Sequence, residues 1–222
     1  MYIGDEKLLF NGKKLPYSVI DYWRVNLSEL LLNVTRGGFA EFLVLCALDD
    51  AGFNALNQSK TGMEAWDIDG PEITVNGFRR RSRIEVKSTA SVQVDTPDEK
   101  EPISLQPNKL VFSIRPAIDF ASSDQTPRRN NDLYVFAHYK AERKSDNILD
   151  LDFWDFYVYP TFKIEEDPVV SEQKTISVRR LQMLGLSPCK FDKLYAEIRK
   201  CLDEIEAHFS SVQDEIVDIE SL

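Results

Sequence analysis

Hydrophobic and polar positions alternate most clearly in two stretches on either side of Asn76-Gly77. Over Phe78–Ala90, Ile84 and Val86 interleave with Arg83, Glu85 and Lys87, the two-residue period of a strand with one buried face. Trp66–Val75 reads as its partner strand, and Asn-Gly between two such runs is a strong hairpin turn signal. Shorter apolar runs predict further strands at Leu110–Ile114, Leu133–Tyr139 and Phe156–Tyr159. Helical spacing of Tyr22, Trp23, Leu27, Leu30 and Leu31 predicts a helix over 19–33, with Arg36-Gly37-Gly38 as a break. A second helix is expected from Phe39 to Asp50, its apolar stripe formed by Phe39, Phe42, Leu43, Cys46 and Ala47 and its first turn holding Glu41. Residues 95–108, with three prolines, and 115–131 read as loops. Ser187-Pro188 reads as the N-terminal cap of a last helix, with Leu194, Ile198, Cys201 or Leu202, Ile205, Phe209, Val212 and Ile216 recurring every three or four residues. That stripe packs on its own domain or on a partner. The pattern predicts an α/β protein: a central mixed sheet with helices before and after it, comprising a domain over 1–186 and an acidic amphipathic helix over 187–222.

Composition narrows the chemistry. With 222 residues, 43% apolar and 29% charged, the chain suits one substantial soluble α/β domain. Its longest apolar run, Phe42–Leu48, is far below the ~18–20 residues that span a bilayer. No signal peptide is read at the N-terminus. Cys46, Cys189 and Cys201 are widely spaced without any CxxC, which fits a reducing cytoplasm and argues against a zinc site. Only His138 and His208 are available for histidine chemistry, and no phosphate-binding loop, dinucleotide fingerprint or HExxH motif is present.

A net charge of −10 argues against a nucleic-acid partner until its distribution is considered. Seven of the 37 acidic residues lie in 201–222, which holds no Lys or Arg, so residues 1–200 carry 30 acids against 27 bases. Within them Arg79, Arg80, Arg81 and Arg83 form a basic cluster beside the Glu85 strand, with Arg128-Arg129 and Arg179-Arg180 further on. Local positive patches, not whole-chain charge, attract phosphate backbones.

The candidate chemistry centres on Glu85 and Lys87, which stand side by side on one strand face, about 6–7 Å apart. A hairpin would bring Asp67, eighteen residues earlier, to the neighbouring strand and within reach of the same cation. Hard cations such as Mg²⁺ take one or two carboxylates together with waters and phosphate oxygens. Taken singly, Asp67 also reads as a turn-capping residue and Glu41 as a helix-start charge favoured by the dipole. Asp69 competes with Asp67 for the cation.

Together, Glu41, Asp67 and Glu85-Val86-Lys87 resemble the signature of the PD-(D/E)XK, or restriction-endonuclease-like, nuclease superfamily. Arg36–Glu41, Trp66-Asp67-Ile68, Ile84–Gln93, Leu133–Phe136 and Trp154–Thr161 resemble an uncharacterised bacterial branch of it, over about residues 20–185. The resemblance implies a mixed sheet in αβββαβ order and hydrolysis of phosphodiester bonds of DNA, or less favourably RNA, with Mg²⁺ or Mn²⁺. It implies metal ligation by Asp67, Glu85, the Val86 carbonyl and Glu41, with Lys87 assisting the attacking water. Gln93 would touch metal-bound water or the nucleic-acid backbone, and Arg79, Arg80, Arg81 and Arg83 would grip flanking phosphates. Trp66-Asp67 stands where the superfamily usually has Pro-Asp. No base-reading module is recognisable, so any sequence selectivity would come from a partner, from structure-selective loops, or be lacking, and two-strand cutting would call for a homodimer. The rival reading is an inactive nuclease-fold scaffold or binding module, docked through the C-terminal helix.

Overall fold

The structure, a computed structural model, describes residues 3–57, 65–93 and 110–220, with side chains as far as Ser210. The stretch 95–108, expected to be a loop, lies outside the described residues. Two short strands, β1 (Lys7–Phe10) and β2 (Lys13–Ser18), form a hairpin and lead into α1 (Val19–Asn26). The second helix, α2, runs Asn33–Asp50, and β3 (Ile68–Val75) and β4 (Phe78–Ala90) follow. After β5 (Val111–Ser113) come β6 (Leu133–Tyr139), β7 (Trp154–Pro160) and α3 (Thr161–Glu166). The chain continues through β8 (Thr175–Ser177), α4 (Val178–Met183) and α5 (Phe191–Glu220).

The central sheet has the order β3-β4-β6-β7 and is mixed: β4 runs parallel to β6, and the other pairings are antiparallel. β5 pairs with β8 in a separate two-stranded sheet. The coarse expectation of an α/β mixed sheet flanked by helices therefore describes the molecule. Between the parallel strands β4 and β6 the described residues hold β5 and irregular chain.

The Asn76-Gly77 turn is formed as its sequence demands. Both residues have positive φ, 52° and 78°, the conformation that matches the twist of a tight hairpin and that Asn and Gly tolerate best. One face of the sheet buries Ile84, Val86, Leu133, Val135 and Ala137 against α2 and the first half of α5, where Leu194, Ile198, Leu202 and Ile205 are buried. The other face carries Tyr134, Phe136, Tyr157 and Tyr159, covered by Phe112, Ile164, Ile176 and Leu181.

Both edges of the central sheet are covered. On β3, the backbone N–H of Thr74 donates to Glu206 of α5 at 2.7 Å. On β7, Phe156 and Cys189 exchange two backbone hydrogen bonds of 2.9 and 2.8 Å. These contacts engage part of each edge, where unpaired strand groups invite aggregation.

Four local expectations are corrected. The helix expected over 19–33 stops at Asn26, and α1 fully buries none of its residues: Tyr22 and Val25 are exposed, while Ile20 and Trp23 are half-buried. Arg36-Gly37-Gly38 does not break a helix but lies inside α2, which starts at Asn33. Two helical glycines cost roughly 1 kcal/mol each relative to alanine. The packing of Ala40, Leu43, Val44, Ala47 and Leu48 on the sheet outweighs this. Phe42, expected in the stripe, is largely exposed. Finally, α5 begins at Phe191 and not at Ser187-Pro188, because Cys189 is engaged with the edge of β7.

Candidate active site

The position where β3 parts from β4 fixes the site. Pairing between the two strands ends at Ile68 opposite Ile84, while β4 continues for six more residues beside β6. One step before β3 begins, the Asp67 N–H still donates to the Ile84 carbonyl at 3.1 Å. The next β4 donor on that side, the Val86 N–H, has no strand partner and donates to Asp67 Oδ2 at 2.8 Å. A carboxylate thus replaces a backbone carbonyl at the fork of the sheet, and its rotamer is fixed by that bond.

Glu85 and Lys87 occupy alternate positions of β4 on the face shared with Tyr134 and Phe136 of β6, their register partners. Lys87 Nζ forms an ion pair with Glu85 Oε1 and lies 3.8 Å from Asp67 Oδ2. Burial and the Asp67 charge push the Glu85 carboxyl above its ordinary value, against the opposing pull of Lys87. Burial works against the Lys87 ammonium, but Glu85 and Asp67 outweigh it and hold its proton more tightly than usual. Tyr134 is shifted upward by burial and by Glu85, which places its phenol beside the same acid.

Glu41 stands in the third turn of α2, since the helix starts at Asn33 and not near Phe39. The expected dipole role at a helix N-terminus is therefore lost, because that effect fades beyond the first turn. Its charge instead acts on both Glu85 and Lys87. The structure thus gathers Asp67, Glu85 and Lys87 at contact distance, with Glu41 at longer range. Asp69, the competitor of Asp67, accepts a 2.8 Å hydrogen bond from the Trp66 indole and pairs across the strands with Arg83.

Gln93 lies just past the end of β4. Its carbonyl oxygen accepts from Arg36 at 3.2 Å and its amide donates to the Ala90 carbonyl at 3.1 Å. Arg36 is a residue that sequence reasoning used only as part of a motif. It is 3% exposed, and its other hydrogen bonds go to the Leu31 carbonyl at 3.0 Å and to Asn33 at 2.7 Å. Arg36 therefore clamps the first turn of α2 to the end of the Glu85 strand. Its Nε has no acceptor among the described residues.

The four arginines expected to grip phosphates divide in two. Arg79 is engaged by Glu72, and Arg80 makes a two-pronged pair with Asp132 at 2.7 and 2.6 Å. Arg81 lies over the Phe53 ring at 4.7 Å and Arg83 over Trp66 at 4.3 Å. The stacking of Trp66 was not foreseen, although a Trp immediately before the key Asp was a visible signal. Arg129 is likewise structural, donating to the carbonyls of Ile114, Ser171 and Gln173.

The donor set suits a hard cation in part. Asp67 and Glu85 each engage one described oxygen, Oδ2 with Val86 and Lys87, Oε1 with Lys87, and among the described residues the second oxygen of each makes no hydrogen bond. Two carboxylates and a carbonyl are enough for Mg²⁺, which keeps several waters. Among the described residues, however, no group of three or more His, Cys, Asp or Glu side chains is arranged to hold a metal ion. No helix of the described chain is long and apolar enough to cross a membrane. No protein-family model matches the chain, and no curated protein or solved structure is significantly similar to it.

Proposed function

We propose that this chain hydrolyses phosphodiester bonds of nucleic acid, DNA in preference to RNA, with the help of Mg²⁺ or Mn²⁺. The observation that carries the reading is the fork of the sheet, where Asp67, Glu85 and Lys87 meet in one place. Asp67, Glu85 and the Val86 carbonyl would hold the cation, with Glu41 nearby. A cation bound there supplies positive charge against a phosphoryl oxygen and acidifies its own water. The raised affinity of Glu85 for protons comes first from burial and then from the Asp67 charge, and a cation would relieve the second. Val86 holds the Asp67 rotamer, so the two acids are preorganised. The Lys87 ammonium, kept protonated by its acidic neighbours, places positive charge where a scissile phosphate would sit and can orient the attacking water.

A second reading rests on one specific feature. Lys87 closes onto both carboxylates and the metal-type acid cluster stops at two, the arrangement of a structural ion pair. On that reading the fold is a scaffold or binding module in a larger assembly.

Incubation with plasmid, linear DNA and RNA separates the two. The hydrolase requires cleavage with Mg²⁺ or Mn²⁺ that chelation abolishes and Lys87→Ala reduces by at least about a hundredfold, the scale of one preorganised charge at a transition state. Cleavage that survives chelation or the Lys87 change contradicts this mechanism. No cleavage, together with no divalent-ion binding, contradicts the hydrolase and favours the scaffold.

A further inference from the structure

Apart from Lys87, which pairs with the carboxylates themselves, the basic residues nearest the fork, Arg81 and Arg83, are stacked on aromatic rings. Trp66 precedes Asp67 in the chain, and Arg83 lies two residues before Glu85 on β4, so their stack borders the carboxylate pair directly. The indole ring is held from two directions, by its N–H bond to Asp69 and by the Arg83 guanidinium 4.3 Å from its centroid. Trp66 remains partly open to solvent. Among the described residues Arg83 has no ion pair, whereas Arg79 and Arg80 are both neutralised. A fixed indole and a guanidinium plane are the two surfaces on which unpaired bases stack, and a duplex offers neither of its base faces to them.

Arg83 also lines a cleft of about 440 Å³, whose other walls include Arg128, Asn130, Thr161 and Phe162. That volume falls in the range of small-ligand sites and accommodates about one nucleotide. The three arginines of the cleft are balanced by three carboxylates, Asp119, Asp132 and Glu165. Such a balance suits a neutral base with hydrogen-bonding edges better than a phosphate. Phe120, next to the cleft residue Asp119 in the chain, is 74% exposed.

We propose that the strand bound at the Asp67–Glu85 fork is single-stranded DNA, with an unpaired base held by the Trp66–Arg83 stack and the cleft beside it. This inference rests on the nucleic-acid reading above. A base pair would have to open to enter the cleft, at a cost of a few kcal/mol that a single strand avoids.

The test is fluorescence anisotropy of a labelled single-stranded oligonucleotide and of a hairpin duplex of the same sequence, with the full chain in chelator so that no cleavage intervenes. Single strand is expected to bind at least about tenfold tighter than duplex. Trp66→Ala and Arg83→Lys are each expected to weaken single-strand binding about tenfold, the scale of one lost base stack. Arg83→Lys keeps the charge but loses the plane, and Trp66→Phe, which keeps a ring, should retain most of the affinity. Thermal melts by circular dichroism confirm that each variant is folded. Equal or tighter duplex binding, no binding of either, or folded Trp66→Ala and Arg83→Lys proteins with unchanged single-strand affinity would each overturn the proposal. Single-strand binding through Trp66 without metal-dependent cleavage would sink the hydrolase and leave this inference standing, while cleavage confined to duplex would do the reverse.

Discussion

Lys87 holds two carboxylates together, and its removal exposes their repulsion. In Lys87→Ala, Glu85 loses the neighbour that lowers its proton affinity while keeping burial and Asp67, which raise it. A carboxyl raised in the folded state contributes stability that is complete below its unfolded value and disappears as pH rises through the folded one. The variant is therefore expected to lose about 2–3 kcal/mol at pH 8 and less at pH 5, the direction set by the raised proton affinity of Glu85. On the proposed reading, millimolar Mg²⁺ restores part of the loss at pH 8. Thermal melts at the two pH values, with and without Mg²⁺, check both parts.

His138 gives the opposite sign. It is 4% exposed, bonded to the Ser91 hydroxyl at 2.9 Å, and burial pulls its pKa down to about 4. A depressed histidine contributes stability that is present above its unfolded value and is lost as pH falls toward the folded one. Between pH 6.5 and 4 the loss approaches roughly 3 kcal/mol. In His138→Gln, which can keep a hydrogen bond to Ser91, denaturant melts should show a smaller loss of stability across that interval; an unchanged acid slope would remove His138 from this role.

Among the elements, β4 organises the molecule, since its first half pairs with β3 and its second with β6. Gly70 sits at the register irregularity of β3 between Asp69 and Glu72, just inside the fork. A Cβ there would approach Ile84 Cδ1 to 2.7 Å and press on the Ser82 hydroxyl. Gly70→Ala is therefore expected to destabilise by about 1–3 kcal/mol, as overpacked sites do, and to displace Asp67 three residues away. A denaturant melt gives the first effect, and on the proposed reading weakened cation binding gives the second.

The strands were largely legible because β-periodicity and the Asn-Gly turn are local signals. Asp67, Glu85 and Lys87 were likewise placed together by the hairpin alone. The start of α2 was not legible: Gly37-Gly38 reads as a break, and only packing of the helix against the sheet overrides it. The expected role of Glu41 at a helix start failed for the same reason. Arg80 could not be recognised as structural, because its partner Asp132 is 52 residues away in the chain. The second oxygens of Asp67 and Glu85 belong to the tertiary arrangement and have no sequence signature.

At the scale of the whole molecule, α5 belongs to the core through Ile205 and then continues to Glu220. Residues 211–222 carry four of the seven acids of the C-terminal stretch and no base. A chain ending at Ser210 should keep its melting temperature within a few degrees. If the acidic end shields the arginines, it should also bind DNA more tightly at low salt, with the gain fading as salt screens exposed charges. Unchanged affinity at low salt would remove the tail from any shielding role. The exposed apolar side chains of β1, β2 and α1, among them Leu9, Phe10, Tyr22 and Val25, mark the other end of the chain as a second surface with few internal contacts.

The central claim is that Asp67 and Glu85 share one divalent cation, and calorimetric titration of the full chain with Mn²⁺ tests it most directly. The account predicts one saturable site per chain, weakened at least about tenfold in Asp67→Asn and in Glu85→Gln. No binding by the native chain, or equal affinity in both variants, would contradict it.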